Sequence, residues 1–516
     1  MKKTVVLAIL DGWGIGRHEE TNPLHAAHPV QMEYIEEHFP AGMLQASGIA
    51  VGLPWSEEGN SEVGHMTLGA GTVLYQHYPK ISLMIRNGSF FENKTLKEAF
   101  RIAREQGVSV HLVGLIGEGI VHSAFEHVEA LLKMAKKESC EKVFVHGFSD
   151  GRDSGPFSGK TAFQRLQEVL QKEGVGEIAT ISGRYFGMDR DKHWDRTRKA
   201  LDAILGQAEH QSDAVESVFE EAKSEGVSDE YIEPAIIGGG HPPRDGDVVI
   251  FFNFREDRMR QITEPFLNPD FSSFPVNMPS HLHVVSFAQY DPRFPGNTVF
   301  RQEKITNPLG KVLADAGKNQ LRIAETEKYA HVTYFFNGFH EPPFPNEFRV
   351  LIPSKNVAHY EKFPEMMASS ITDRVLSALG ENIYDFILIN YANTDIVAHT
   401  GNYEATVKAA QVVDREMGKL LKGILAGDHA LIITADHGNA EVVLDLQTGG
   451  RDTKHNSSPV PFFLVRKDLE LETPRNRFSK LPSVGFLSDV APTILDLMDI
   501  PQPKEMTGQS LLRQLI

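Results

Sequence analysis

Three short apolar runs, Thr4–Leu10 (TVVLAIL), Asp385–Ile389 (DFILI) and Ala430–Thr434 (ALIIT), restrict the fold of this chain more than any other feature. Each stops at polar or acidic residues: Asp11, then Asn393 to His399, then Asp436-His437. Similar runs alternate with longer amphipathic segments along the whole chain, which is the pattern of an α/β fold with a largely parallel, doubly wound sheet. In open sheets of this kind ligands bind beyond the carboxyl ends of the strands. Three strand ends that carry acids therefore predict one shared site.

The pattern repeats with different chemistry between residues 77 and 310. Strands are expected at Ser109–Leu115, Lys142–His146, Glu177–Ser182, Asp247–Phe252 and His283–Phe287. Their downstream ends carry His122, then Arg152-Asp153, Arg184 with Arg190, and Arg255 with Arg258. This reads as a second α/β domain whose strand ends are lined with cations, and 516 residues are too many for one ordinary core. Helices are expected over Glu404–Leu425, with Gly427 as its stop, and from Ser488-Asp489 to Leu497.

A net charge of -17 argues against a nucleic-acid surface, because a polyanion would be repelled. A small anion feels only local charge and is not excluded. The single Cys140 rules out an intramolecular disulfide and a multi-cysteine zinc site, so a metal would need oxygen and imidazole ligands. The start, MKKTVVLAILDGWG, imitates a signal peptide, but the apolar run ends at Asp11 and no cleavage site follows. It reads as a buried strand. No stretch approaches the ~20 apolar residues of a membrane span, and a cytoplasmic location is expected.

Within Gly59–Gly71 (GNSEVGHMTLGAG), glycines flank Asn60-Ser61-Glu62 and let the backbone present one small hydroxyl. A helix starting at about Ser61 would aim its positive end at an alkoxide or phosphate there. An isolated GNSE is usually an ordinary cap. Distant residues favour the sharper reading. Asp395 and His399 lie four apart and share a helix face. Asp436-His437 follows a strand directly, His455 sits in the loop TKHNSSPVPF, and Asp11 closes the first strand. Three Asp, three His and one Ser suit a pair of divalent cations of the manganese, zinc or magnesium kind. Two such ions clamp a transferring phosphoryl group, and a bound Ser hydroxyl ionises more easily.

The arginines of GRYFGMDRD and NFREDRMRQ come in close pairs just past strands. Guanidinium forks bind phosphate and carboxylate bidentately, so they suit a small, doubly anionic substrate. Asp153, among cations, would stay ionised and could act as general acid or base. Lys328, in AETEKYAHVTYFFNG, could balance phosphate charge near Ser61.

These strings, together with LDGWG, DGRD, ITADHGNAE and SPVPF, resemble in order and along essentially the whole chain the cofactor-independent phosphoglycerate mutases of the alkaline phosphatase superfamily. The resemblance implies a phosphatase-like domain over residues 1–76 and 311–516, with a mutase domain inserted at 77–310. It implies one manganese-type ion on Asp395, His399 and His455 and another on Asp11, Ser61, Asp436 and His437. It assigns His122, Arg152, Asp153, Arg184, Arg190, Arg255, Arg258 and Lys328 to the substrate. The implied reaction interconverts 3-phosphoglycerate and 2-phosphoglycerate through phosphoserine on Ser61, with Asp153 moving the proton and no bisphosphate cofactor. A monomer acting on a small molecule is expected, without nucleic-acid or membrane partners.

The chain departs from the family's strings at several points. It reads GEGIVHSA around His122 where SDGGVHSH is usual, and Thr72, Phe339, Thr394 and Ala398 replace an Arg, a Gly, a Pro and a Gly. None of these changes removes an expected ligand. A metal-dependent phosphatase would share every residue of the outer domain, but the arginine-lined insert favours a mutase, which must retain its acceptor and exclude water. A phosphopentomutase would carry Thr as nucleophile. A pure binding protein gains nothing from a metal-bound Ser.

Overall fold

The computed structural model describes residues 3–301, 304–445, 448–475 and 481–516. The chain forms two compact units, Met1–Gln76 with Glu303–Ile516, and His77–Gln302. The return to the first unit thus falls at 302/303, eight residues before the expected 310/311. The helix Leu309–Asp315 straddles the expected boundary, and its Leu309 and Leu313 are buried in the core of the first unit.

The strands are numbered in chain order. The first unit holds β1 (Val5–Leu10), β2 (Ala41–Gln45), β11 (Gln320–Glu325), β12 (Glu347–Ile352), β13 (Phe386–Tyr391), β14 (Ala430–Thr434), β15 (Val460–Val465) and β16 (Ser483–Phe486). Their order across the sheet is β12-β11-β13-β1-β14-β15-β2-β16. The centre is parallel, and β15 runs antiparallel to both β14 and β2. Strands β1, β13 and β14 are buried throughout, which is why they read as unbroken apolar runs rather than alternating ones.

Register does the positioning. Val5 lies opposite both Phe386 and Ala430, and the pairing continues to Leu10 opposite Tyr391 and Ile9 opposite Thr434. One or two residues further on, all three chains leave the sheet at the same edge. Asp11, the helix Asn393–Ala398 and Asp436-His437 are therefore delivered side by side.

The second unit holds β3 (Val110–Ile116), β4 (Val143–Ser149), β5 (Glu177–Gly183), β6 (Gln211–Ser212), β7 (Ala235–Ile237), β8 (Val248–Phe251), β9 (His283–Ser286) and β10 (Asn297–Thr298). Their order is β10-β9-β8-β3-β4-β5-β7-β6. The four neighbours β8, β3, β4 and β5 are parallel, so the loops after them, with His122, Asp153 and the arginines, leave one edge together. The long helix Tyr403–Gly427 ends two residues later than expected. Gly427 is its last residue, and Asp428 makes the left-handed turn at φ 52°.

The helix Ser61–Ala70 lies against its neighbours with almost no gap. A Cβ added at Gly69 would stand 1.9 Å from the carbonyl oxygen of Phe336, just after the wide-turn helix His331–Phe335. An alanine that would stabilise an exposed helix therefore has no room here. Gly69→Ala is expected to lower stability by about 1–3 kcal/mol, read as a fall in thermal unfolding midpoint.

In the second unit the buried His127 packs among the rings of Tyr78, Phe254 and Phe287. Burial pushes its pKa down to about 3. An unfolded ring takes up a proton near pH 6.5 while the folded one does not, so stability falls as pH drops below that value. The loss attributable to this ring is about 2 kcal/mol by pH 5. Denaturant titrations at pH 7 and 5 are expected to show a shallower pH dependence in His127→Phe than in the parent chain.

Candidate active site

Ser61 is the first residue of its helix, and Asn60 is the cap, accepting from the Val63 N–H at 2.9 Å. Because Asn60 does the capping, the Ser61 hydroxyl remains available for other partners. It donates toward Asp11 Oδ1 at 3.2 Å and lies 2.9 Å from His437 Nε2. The Lys328 ammonium donates to Ser61 Oγ at 2.7 Å, to Asp11 Oδ1 at 2.6 Å and to Asp395 Oδ2 at 2.6 Å.

The two ligand sets come together in the first unit. Asp395 Oδ1 lies 3.3 Å from His399 Nε2 and 3.4 Å from His455 Nε2. His437 Nε2 lies 3.6 Å from both Asp11 Oδ1 and Asp436 Oδ2. The donors are carboxylates, imidazoles and a hydroxyl, a set that fits manganese, zinc or magnesium.

The strongest indication of a cation is a pair of facing nitrogens. His399 Nδ1 lies 2.8 Å from the Thr453 carbonyl and His455 Nδ1 lies 2.9 Å from the Gly59 carbonyl. A carbonyl can only accept, so the ring protons belong on Nδ1. Both Nε2 lone pairs then face each other across 3.0 Å. That arrangement is repulsive unless a positive charge sits between or beside them. Carbonyl partners of this type are what orient metal-binding histidines. In addition, the buried Asp436 Oδ2 accepts no hydrogen bond among the described residues.

Electrostatics point the same way. Burial, followed by the nearby Asp436, raises the Asp11 pKa. Burial also opposes ionisation of Asp395 and Asp436, but Lys328 in the first case and His437 with His65 in the second hold them well below the ordinary range. Lys328 is buried too, and its carboxylate neighbours raise its pKa and keep it protonated. Three buried carboxylates thus share one region that needs cations to stay ionised.

The second unit gathers the other expected residues. Arg184 Nη1 reaches Asp150 Oδ1 at 2.6 Å and Asp153 Oδ2 at 2.5 Å. Asp257 takes Arg190 at 2.8 Å and Arg255 at 3.1 Å. His122 lies between the two acids, 3.8 Å from Asp153 Oδ2 and 3.7 Å from Asp257 Oδ1. Burial and then Arg184 push its pKa down to about 4, so the ring is neutral near pH 7. Arg152 is exposed and pairs with Glu230 at 3.3 Å. Arg258 donates to the Met188 carbonyl, and burial together with Arg184, Arg190 and Arg152 lowers its pKa. Guanidinium groups gathered in this way suit the binding of an anion.

Sequence reasoning assigned no role to several side chains that hold this site. Asn439 donates to Asp395 Oδ1 at 2.7 Å, and Thr394 donates to the Asp11 carbonyl at 2.5 Å. Asp150 anchors the DGRD loop through Arg184, Ser154 and the Arg152 and Asp153 amides. Asn439 stands inside ITADHGNAE and Asp150 inside DGRD, but only the folded contacts reveal what they do.

Residues 81–292 match the family model described as BPG-independent PGAM N-terminus, and 277–456 match that of type I phosphodiesterase / nucleotide pyrophosphatase. A 2,3-bisphosphoglycerate-independent phosphoglycerate mutase of Clostridium perfringens (strain SM101 / Type A) is 46% identical, covering 99% of this chain and 100% of its own. The chain belongs to this family, within the alkaline phosphatase superfamily. A relative of the same name from Synechococcus sp. (strain JA-3-3Ab) is 45% identical over 99% of this chain and 96% of its own. The phosphoglycerate mutase of Leishmania mexicana, solved at low cobalt concentration, is 28% identical with a TM-score of 0.51, over 99% of this chain and 97% of that one. This membership explains why mutase strings occur along the whole length and why an arginine-lined insert interrupts a phosphatase-like sheet.

If the Asp/His cluster holds divalent ions, Mn²⁺ at a hundredfold excess over its dissociation constant raises stability by about 2.7 kcal/mol. The expected result is an increased unfolding midpoint that a chelator reverses and that shrinks in Asp395→Asn and in Asp436→Asn. A midpoint indifferent to Mn²⁺ in the parent chain would rule the cluster out as a cation site.

Proposed function

We propose that this protein interconverts 3-phosphoglycerate and 2-phosphoglycerate, a step of glycolysis and gluconeogenesis, through a phosphoserine on Ser61 and without a bisphosphoglycerate cofactor. Full-length identity to the named mutases supports the reaction. The observation that carries the chemistry is Ser61 Oγ held at once by Lys328 Nζ at 2.7 Å and His437 Nε2 at 2.9 Å, at the positive end of its own helix.

Asp395, His399 and His455 would hold one divalent ion, and Asp11, Ser61, Asp436 and His437 a second, with manganese the proposed metal. Bound there, such ions lower the pKa of the Ser61 hydroxyl and neutralise charge on the phosphoryl oxygens. Ser61 Oγ attacks phosphorus, the ester bond to the glycerate oxygen breaks, and the Oγ–P bond forms. Lys328 balances the negative charge gathered near Ser61. With Ser61 entering as its alkoxide, the ionised Asp153 takes the proton of the other glycerate hydroxyl and passes it to the departing glycerate oxygen, so that no proton is gained or lost overall. That hydroxyl then attacks the phosphoserine, which returns Ser61 to its starting state.

Arg152, Arg184, Arg190, Arg255 and Arg258, with His122, hold the anionic groups of the substrate during this exchange. Retention of the glycerate separates a mutase from a phosphatase, in which water takes its place. No helix among the described residues is long and apolar enough to cross a membrane. We read the protein as a cytoplasmic monomer.

The test is a coupled assay on 3-phosphoglycerate with Mn²⁺, with and without added bisphosphoglycerate, while released phosphate is followed. Turnover without the bisphosphate and with negligible phosphate release is expected. Ser61→Ala should lower kcat by about four orders of magnitude or more, as removal of a nucleophile does elsewhere. Stoichiometric phosphate release would instead identify a phosphatase.

A further inference from the structure

His65 lies one helical turn after Ser61 and is completely buried. It is not among the residues expected to bind metal or substrate, yet both of its ring nitrogens are engaged. Nε2 lies 3.0 Å from Asn390 Nδ2, and the same amide nitrogen donates to Asp11 Oδ2 at 2.7 Å. A carboxylate only accepts, so the orientation of the Asn390 amide is settled by Asp11, and its second N–H points at His65. His65 Nε2 therefore accepts, and the ring proton is on Nδ1. That Nδ1 lies 2.9 Å from the Ser61 carbonyl and 3.1 Å from Asp436 Oδ2.

One ring thus joins three of the chains that build the site. It grips the first turn of the nucleophile's helix, faces the acid beyond β14, and is braced by Asn390, on β13, which also holds the acid beyond β1. We infer that His65, oriented by Asn390, is a positioning residue that sets Ser61 and Asp436 in their working geometry. The inference rests on the mutase reading and deepens it. His65 also falls with Asp11 and Asp436 in a group whose ligand atoms lie within 4.8 Å of one another. A role as a metal ligand would require Nδ1 to give up the proton that it donates to the Ser61 carbonyl, or Nε2 to give up Asn390. Both nitrogens are already committed.

The chemistry distinguishes between substitutions. An asparagine amide can place N–H where Nδ1 stands, whereas a glutamine amide reaches only the position of Nε2. Four forms are compared: the parent chain, His65→Leu, His65→Asn and His65→Gln. The readouts are kcat and KM for 3-phosphoglycerate, Mn²⁺ affinity by calorimetry, and the number of ions bound.

His65→Leu is expected to lose about 10–100-fold in kcat and Mn²⁺ affinity, the range for removal of a partner that orients a ligand. KM should change by less than about threefold, since no substrate contact is touched. His65→Asn should recover most of the loss and His65→Gln little of it. Equal behaviour of the Asn and Gln variants, or unchanged kcat and Mn²⁺ affinity in a folded Leu variant, overturns the inference. So does a Leu variant that binds one ion fewer, which would make His65 a ligand. If the Leu variant does not fold, the Asn–Gln contrast decides, and failure of all three to fold makes the ring a requirement of the fold alone and overturns the inference. A parent chain without mutase turnover sinks the proposed reaction, and the Mn²⁺ measurements then decide His65 by themselves.

Discussion

Three carboxylates, Asp11, Asp395 and Asp436, are buried beside one another at the edge of a parallel sheet, and the rest of the first unit is arranged around the cost of that placement. Buried anions at such separations repel strongly and lose their hydration. The fold answers with cations and donors rather than with solvent. Lys328 reaches two of the acids and the nucleophile, and Asn390 and Asn439 each donate to one acid. The imidazoles of His399 and His455 turn their protons outward to backbone carbonyls, which leaves lone pairs directed inward. Such a region remains short of positive charge in a way that divalent ions and a phosphoryl group's counter-charges can complete.

The second unit presents the complementary problem. Arg184 is buried and sits on Asp150 and Asp153, while Asp257 holds Arg190 and Arg255. Acids here keep guanidiniums in place, and burial together with three neighbouring guanidiniums disfavours the charge of Arg258. An incoming anion relieves that repulsion. In the proposed reaction the hydroxyl among acids holds the phosphoryl group in transit, and the arginines keep its acceptor.

Much of this was legible in the chain itself. The strand Ala430–Thr434 falls where its apolar run predicts, and β1 begins one residue inside its predicted span, because fully buried parallel strands read as continuous apolar segments. The helix expected at about Ser61 begins there, with Asn60 as its cap. Less legible were boundaries set by packing. Gly427 looks like a helix stop, but Asp428 makes the turn, and the helix Leu309–Asp315 belongs whole to the first unit because Leu309 and Leu313 find their core there. Strand β15 also escaped notice, since its antiparallel place beside β14 depends on partners far away in the chain.

The sequence by itself determined which residue types are available: a glycine-flanked serine, acids and histidines after apolar strands, and arginines after a second set. Those identities set the chemistry, because carboxylate, imidazole, hydroxyl and guanidinium have fixed charge and bonding capacity wherever they lie. Tertiary structure alone decided which of them meet. The strand register brings Asp11 and Asp436 to one edge, and the contact of His65 with Ser61, Asp436 and Asn390 exists only once three strands and a helix have closed on one another. Spacing along the chain cannot encode the contacts with Asp436 and Asn390, since their geometry comes from hydrogen-bonded pairing between segments more than 300 residues apart.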